Sequence, residues 1–206
     1  MTLNEAMVFE DLNFLQYRTR NKHETFDQQH TLLALQALAR FHAGSLVYEE
    51  KKRKQLKKHF IIYDEHKEDL NRGDVMLLLH CNLDPVFREE NMTTFLKYYY
   101  RKLQDVLSSN DVIITDILSL EQFQSSCEKY KLWGLVATAC LVPQFWVDDD
   151  LTIKYFSDTD SFGEILTKDK GSFIKKMMRT NDDYKNKVMQ VFEEIVDSYC
   201  LDNKVL

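Results

Sequence analysis

The residues whose types could carry chemistry are an acidic pair near the N-terminus and a histidine in an apolar segment. Glu10 and Asp11 could act as acid and base, but neighbours in an extended segment point to opposite faces. We therefore expect Asp11 to cap a helix or turn. His42 could transfer protons, because histidine titrates near neutral pH. It lies between Phe41 and Ala43 beside an apolar stripe, which favours a buried, hydrogen-bonded histidine over a catalytic one.

A second candidate is an acidic segment whose spacing is similar to the opening of a calcium-binding loop. Asp158, Asp160 and Gly163 have the required spacing. However, Phe162 stands where an oxygen ligand is needed, and Asp169 replaces the bidentate glutamate at the end of the loop. We expect an acidic surface loop here, and we assign no residue of the chain to a metal site.

Composition excludes several classes of protein. The net charge of -6 argues against a general nucleic-acid binder, and the basic run at residues 51–58 is typical of a solvated helix face. The four cysteines form no CxxC pair, which indicates free thiols in a reducing compartment. We find no signal-peptide pattern and no apolar run long enough to span a membrane, and therefore expect a cytoplasmic protein without membrane contact.

The elements that must position these residues are mostly helices. Thr25 and Gln28 have capping-box spacing, which predicts a helix from about Phe26 with an apolar stripe from His30 to Phe41. A continuation of this helix into residues 49–58, where polar residues take over, stays open. Asp84 and the proline after it predict a second start. Ser119 and Gln122 form another capping box, and we expect that helix to end at Pro143.

The remainder of the chain is predicted to alternate loops and short helices. Residues 148–150 and 157–163 have loop composition. A short helix is expected around residues 173–178, and a last one places its apolar residues from 188 to 199 on a single face. Residues 7–9 are expected to end a short strand. The predicted fold class is therefore mainly α.

Four segments, taken in order, carry a resemblance to a known family. Residues 8–12 run into Tyr17 and Arg18, and residues 38–45 contain Phe-His-Ala. Residues 74–100 contain Asp-Val-Met, Leu-Asp-Pro and Lys-Tyr-Tyr-Tyr, and residues 123–147 end in Leu-Val-Pro-Gln-Phe-Trp-Val. In this order the segments resemble the ecdysteroid kinase-like family, also called the CHK or choline-kinase-like group of small-molecule kinases.

This resemblance implies a fold and an activity. The fold would be part of the helical C-lobe of a protein-kinase-like enzyme, preceded by a strand and by the hinge that faces adenine. Glu10, Asp11 and Leu12 correspond to that hinge and are the cofactor-binding residues that the resemblance assigns. The family's activity would be the ATP- and magnesium-dependent phosphorylation of a hydroxyl on a steroid-like or choline-like substrate.

The motifs that such chemistry requires do not occur in the sequence. There is no glycine-rich phosphate loop, no His-Gly-Asp catalytic loop, and no Ile-Asp-Phe-Gln or Asp-Phe-Gly metal motif. We interpret the chain as a truncated member, with the N-lobe and a catalytic block lost. Residues 1–50 would be the hinge strand and first C-lobe helix, 51–73 the junction, and 74–206 the rest of the C-lobe.

Three functional interpretations follow. As a kinase relative, the chain is expected to have no catalytic residue, to be catalytically inactive and to bind no cofactor. As a non-catalytic helical protein, it would bind a partner or a small apolar, steroid-like ligand. As a fragment without function, it would expose apolar helix faces and self-associate.

Overall fold

A computed structural model of the chain describes residues 14–52, 70–156 and 170–201, together with Gly163. Within these ranges the chain is helical and forms no β-strand, which confirms the predicted mainly α fold class. The strand expected at residues 7–9 and the hinge remnant Glu10, Asp11 and Leu12 lie outside the described residues. In the described part of the chain, no helix is long and apolar enough to cross a membrane.

Helices follow one another with short connections through the described ranges. In chain order they are α1 (Gln28–Lys52), α2 (Leu70–Asn82), α3 (Pro85–Ser108), α4 (Ile114–Ile117), α5 (Leu120–Lys129), α6 (Lys131–Phe145), α7 (Asp149–Phe156), α8 (Gly171–Thr180) and α9 (Asp182–Val196). One turn of π-helix, Asp197–Leu201, extends α9.

Two helix starts show how the sequence sets local structure. α3 begins as predicted, because the Asp84 carboxylate accepts hydrogen bonds from the backbone N–H groups of Val86 and Phe87, and proline occupies the first position. α1 begins two residues later than predicted. Asp27, and not Thr25, caps it by accepting from the His30 backbone N–H at 2.8 Å.

The long helix predicted from Ser119 to Pro143 is in fact two helices. The capping box between Ser119 and Gln122 is present and starts α5. Tyr130 then leaves the helical conformation (φ −87°, ψ 0°), and α6 begins after it. Pro143 does not end α6 but lies inside its last turn. Proline has no N–H, so it removes one backbone hydrogen bond from a helix that ends two residues later.

The prediction of a loop at residues 148–150 is wrong for its last two residues. Asp149 and Asp150 form the first turn of α7, whose N-terminal partial positive charge favours acidic side chains there. The carbonyl oxygen of Asp148 accepts from the Thr152 N–H at 2.8 Å. Of the loop predicted at 157–163, only Gly163 is among the described residues, and its backbone is helical.

The described core consists of two apolar clusters. The larger joins α1, α2, α3 and α5 around Leu35, Leu79, Phe95, Tyr99 and Phe123. The smaller joins the end of α6 to α8 and α9 through side chains including Val142, Tyr184 and Val188. α6 also packs along α2, so it contacts both parts of the core.

Candidate functional site

His42 is buried and hydrogen-bonded, as its position in the sequence predicts. It lies on α1 with only 2% of its surface exposed. Its Nδ1 lies 2.6 Å from the Tyr99 hydroxyl on α3, and its Nε2 lies 3.2 Å from the Asp74 carboxylate on α2. The imidazole therefore connects three helices. Burial raises the pKa of Tyr99 far above its usual value, which keeps its hydroxyl protonated at neutral pH.

The contact with Asp74 fixes the tautomer of a neutral His42 ring. An ionised carboxylate only accepts hydrogen bonds, so Nε2 carries the hydrogen and donates it to Asp74. In the neutral ring Nδ1 is then an acceptor, and the Tyr99 hydroxyl donates to it. We call this sequence of donors, from Tyr99 through His42 to Asp74, the Tyr–His–Asp chain. It ends on a carboxylate whose side chain is 44% exposed.

Asp74 lies on the wall of a cleft between α1, α2 and α6. The cleft has a volume of about 990 Å³, at the upper end of the range for small-molecule sites. Its wall is mostly apolar, with side chains that include Ala34, Leu38, Phe41, Leu77, Leu78 and Phe145. We call it the α1–α2–α6 cleft. This combination of a large apolar wall and few polar groups is typical of sites for small organic molecules.

The cleft has two distinguishable ends. At one end Asp74 of α2 contacts His42 of α1. At the other, the N–H of Phe26, just before α1, donates to the Asn82 carbonyl at the end of α2 at 2.8 Å. The two helices are therefore antiparallel along the cleft. From the helical rise, Asp74 and Asn82 are separated by ~12 Å along α2.

A second polar cluster, outside the lining of the cleft, is built on ion pairs. Arg88 on α3, only 1% exposed, donates to Glu194 on α9 and to Glu89, and Lys131 on α6 pairs with Glu89 at 2.9 Å. His80 on α2 donates from Nδ1 to the Met76 carbonyl oxygen at 2.7 Å. We call these residues the Arg88 network.

The charges of the Arg88 network shift the pKa of its members in different directions. Burial, reinforced by the positive charge of Arg88, lowers the pKa of His80 to about 4, so its ring is neutral. Burial also raises the pKa of Glu194, even though Arg88 opposes the shift. Burial would raise the pKa of Glu89 too, but Lys131 and Arg88 outweigh it and lower that pKa.

The Arg88 network contains side chains of the types that bind metal ions, but their charges are already balanced. His80, Glu89 and Glu194 present ligand atoms within 4.8 Å of one another, and the His80 Nε2 has no hydrogen-bond partner in the structure. However, Arg88 and Lys131 already neutralise both carboxylates. A divalent cation would leave an uncompensated charge of about +2 beside a buried guanidinium, which is strongly unfavourable. We therefore interpret the cluster as an ion-pair network that joins α2, α3, α6 and α9.

Sequence reasoning found one member of the candidate site and missed two. It singled out His42, but Asp74 and Tyr99 are 32 and 57 residues away along the chain, and no local pattern connects them to it. Their contact depends on helix packing. The hinge residues Glu10, Asp11 and Leu12 and most of the calcium-like loop, including Asp158, Asp160, Phe162 and Asp169, lie outside the described residues.

Comparison with known proteins bears on the first part of the chain. The model of the ecdysteroid kinase-like family matches residues 2–73. Residues 2–73 resemble the ecdysteroid kinase-like family. The ecdysteroid kinase-like match includes Glu10, Asp11, Leu12 and His42, and it ends one residue before Asp74. No curated protein and no solved structure matches the chain.

The ecdysteroid kinase-like match covers two of the four segments that carry the predicted resemblance. It confirms the predicted resemblance for residues 8–12 and for the helix with Phe-His-Ala, and it also covers residues 51–73, which we interpret as a junction. The two later segments that suggested the same family, residues 74–100 and 123–147, lie beyond the match, and their assignment stays a prediction. The α1–α2–α6 cleft is thus formed partly by matched and partly by unmatched residues.

Proposed function

We propose that this chain is an ecdysteroid kinase-like protein that binds a small apolar ligand in the α1–α2–α6 cleft and does not phosphorylate it. The observation that carries the proposal is the cleft itself, about 990 Å³ in volume and lined mainly by aliphatic and aromatic side chains. A rigid, steroid-like molecule matches such a wall, because it buries apolar area and loses little conformational freedom on binding.

The polar groups of the cleft support binding better than phosphoryl transfer. A kinase needs carboxylates converging on magnesium and on the γ-phosphate. The carboxylates of the described cleft wall, Glu24 and Asp74, lie toward opposite ends and do not converge on one ion. The described cleft wall therefore supplies no pair of carboxylates to hold magnesium. Because the sequence also lacks the His-Gly-Asp and Ile-Asp-Phe-Gln motifs, we infer no phosphoryl-transfer step.

Ligand-dependent stabilisation tests the proposal. We expect saturating androstane steroids to raise the midpoint of thermal unfolding, without any requirement for ATP, because a ligand that binds only the folded state stabilises it. Ala37→Trp, which fills the cleft from the exposed side of α1, should abolish the shift. Gln104→Trp places the same side chain on an exposed position of α3 and serves as the matched control.

Two results would contradict the proposal. The first is an equal ligand-induced shift in the wild type and Ala37→Trp, which would place the ligand elsewhere. The second is magnesium-dependent transfer of labelled phosphate from ATP above a boiled control. That result would show that these residues support catalysis after all.

Self-association is a second candidate, favoured by apolar side chains that the described fold leaves exposed. Trp133 and Val136 on α6 and Phe192 and Val196 on α9 are each between 41% and 47% exposed. Exposed apolar surface favours association when it is contiguous. Sedimentation velocity over a hundredfold range of protein concentration would detect it as a rising sedimentation coefficient, and a constant monomer value would exclude it.

A further inference from the structure

The Tyr–His–Asp chain gives the α1–α2–α6 cleft a chemical polarity. Each hydrogen bond of the chain points toward Asp74, so this carboxylate receives a hydrogen from His42 and passes none on. A carboxylate has about four lone-pair positions, of which His42 uses one. The remaining capacity of Asp74 is for accepting, and the residue lies on the cleft wall.

Several polar groups of the wall are engaged with the protein itself. At the opposite end, Arg20 donates to the Thr25 carbonyl at 2.9 Å, and Lys22 pairs with Asp149 at 2.7 Å. Asn82 donates from its side-chain amide to the Leu78 carbonyl at 2.9 Å. Lys22 and Asn82 are thus matched, whereas the buried Nε of Arg20 has no hydrogen-bond partner among the described residues. A group left over at that end is a donor, so Asp74 differs from it in offering an acceptor.

The middle of the cleft offers mostly apolar contact, since the thiol of Cys81 there is already bonded to the Thr138 hydroxyl at 3.2 Å. Leu77 and Leu78 lie between Asp74 and Asn82 on α2, and Leu38 and Ala34 face the same space from α1. A ligand that fills this part must be apolar over a length of ~12 Å, the rise of α2 between the two ends. Where it reaches Asp74 it displaces water from the carboxylate, and that loss is offset only if the ligand donates a hydrogen bond in return.

We propose that Asp74 determines ligand specificity by accepting a hydrogen bond from a donor, a hydroxyl or an ammonium group, at one end of an otherwise apolar ligand that lies along α2. The inference rests on the proposed ligand-binding function of the same cleft. His42 and Tyr99 act as positioning residues, because they hold the Asp74 carboxylate in place and fix the direction of its hydrogen bonds without lining the cleft.

Three matched probes test this assignment by calorimetric titration of the whole chain. Androstanol carries a hydroxyl donor, aminoandrostane carries an ammonium donor, and androstanone carries an acceptor at the same position. We expect at least one of the two donors to bind about tenfold or more tightly than the ketone, since a hydrogen bond to a charged group strengthens binding by about that factor or more. Comparison of the alcohol with the amine identifies which donor the cleft prefers.

Two variants locate the effect. Asp74→Asn keeps an oxygen acceptor for His42 but removes the charge and adds a donor, so the preference for the alcohol or amine over the ketone should fall by about tenfold or more. Glu90→Gln removes one negative charge from an exposed position of α3 outside the cleft, and should leave the preference unchanged. An equal loss in both variants would indicate a long-range charge effect and overturn the assignment.

The wild-type result alone separates the two proposals. If ketone, alcohol and amine bind equally well, the cleft binds apolar ligands but Asp74 does not select them, and only the present inference fails. If none of the three binds, the proposed ligand-binding function fails as well. This comparison needs no variant, so a fold defect in Asp74→Asn would leave the inference testable.

Discussion

The Tyr99 hydroxyl donates to the His42 Nδ1 across the interface of α1 and α3, at 2.6 Å and beyond the reach of solvent. Tyr99 also stacks on Phe123 of α5, with ring centroids 5.4 Å apart. One tyrosine thus holds together three helices of the larger apolar cluster and orients the histidine that contacts Asp74.

Replacing Tyr99 by phenylalanine isolates the hydroxyl. Phenylalanine keeps the apolar contacts but leaves the buried His42 Nδ1 without a donor, so the free energy of unfolding should fall by about 1–3 kcal/mol. Urea titration followed by circular dichroism measures the change. Tyr98→Phe is the matched control, because the Tyr98 hydroxyl bonds Gln36 in a partly exposed position where water can replace it. Equal effects of the two variants would contradict the importance of the buried bond.

Two glycines should respond to alanine in opposite directions. A Cβ on Gly134 would lie 3.0 Å from the Met76 Cβ and 3.1 Å from the His80 Nδ1, so Gly134→Ala should lower the free energy of unfolding by about 1–3 kcal/mol through overpacking of α2 on α6. Gly44 lies inside α1, and a Cβ there meets nothing within 4 Å. Gly44→Ala should therefore raise that free energy by about 0.5–1 kcal/mol, through better helix propensity. Chemical denaturation of both variants checks the signs, and stabilisation by Gly134→Ala would show that the two helices are farther apart.

The pH dependence of stability should carry the signature of His80. Its pKa is about 4 in the folded protein and 6.5 in the unfolded chain, so between these values the unfolded chain binds more protons. The contribution of the neutral His80 ring to the free energy of unfolding is fully present above pH 6.5. It is lost as the pH decreases toward 4, by up to about 3 kcal/mol.

His80→Asn provides the comparison for this pH dependence. Its side-chain amide can still donate to the Met76 carbonyl oxygen, but it does not titrate. The difference in unfolding free energy between wild type and variant should change with pH between about 5 and 6.5, above the range in which most carboxylates titrate. A constant difference across that range would mean that His80 is not held neutral by burial.

Removal of Arg88 should be among the most damaging changes on α3. Arg88→Met leaves Glu194 partly buried without its cation, and we expect a loss of about 3–5 kcal/mol in the free energy of unfolding. Lys131→Met breaks a pair whose glutamate is 46% exposed, and should cost about 1 kcal/mol or less. Thermal and urea unfolding distinguish the two. Equal costs would show that Arg88 is not the centre of the network.

Parts of this fold were predictable from sequence because their signals are local. Asp84 with the following proline, and Ser119 with Gln122, satisfy helix N-termini within a few residues of themselves, and both starts are where the sequence predicts them. The break at Tyr130 has no local signal, because neither glycine nor proline marks it. The sequence does not distinguish a loop from a helix start at Asp149, because acidic residues suit both loops and the first turn of a helix.

The candidate site was less predictable for a physical reason. The burial of His42 follows from its apolar neighbours, which are local. Its partners Asp74 and Tyr99 belong to other helices, and only the packing of α1 on α3 and of α2 against both brings them together. The cleft likewise arises from the space left between α1, α2 and α6, which no pattern in a single helix encodes.

α6 contacts both apolar clusters, while the smaller cluster draws its buried residues only from the end of α6 onward. Tyr184 of α9 closes this cluster by donating to the Pro143 carbonyl at 2.7 Å. Such an arrangement allows α8 and α9 to open as one cooperative unit while α1, α2 and α3 stay folded. Amide hydrogens of α8 and α9 should then exchange with deuterated solvent through this partial opening, sooner than those of α1 and α3, which exchange only when the whole molecule unfolds.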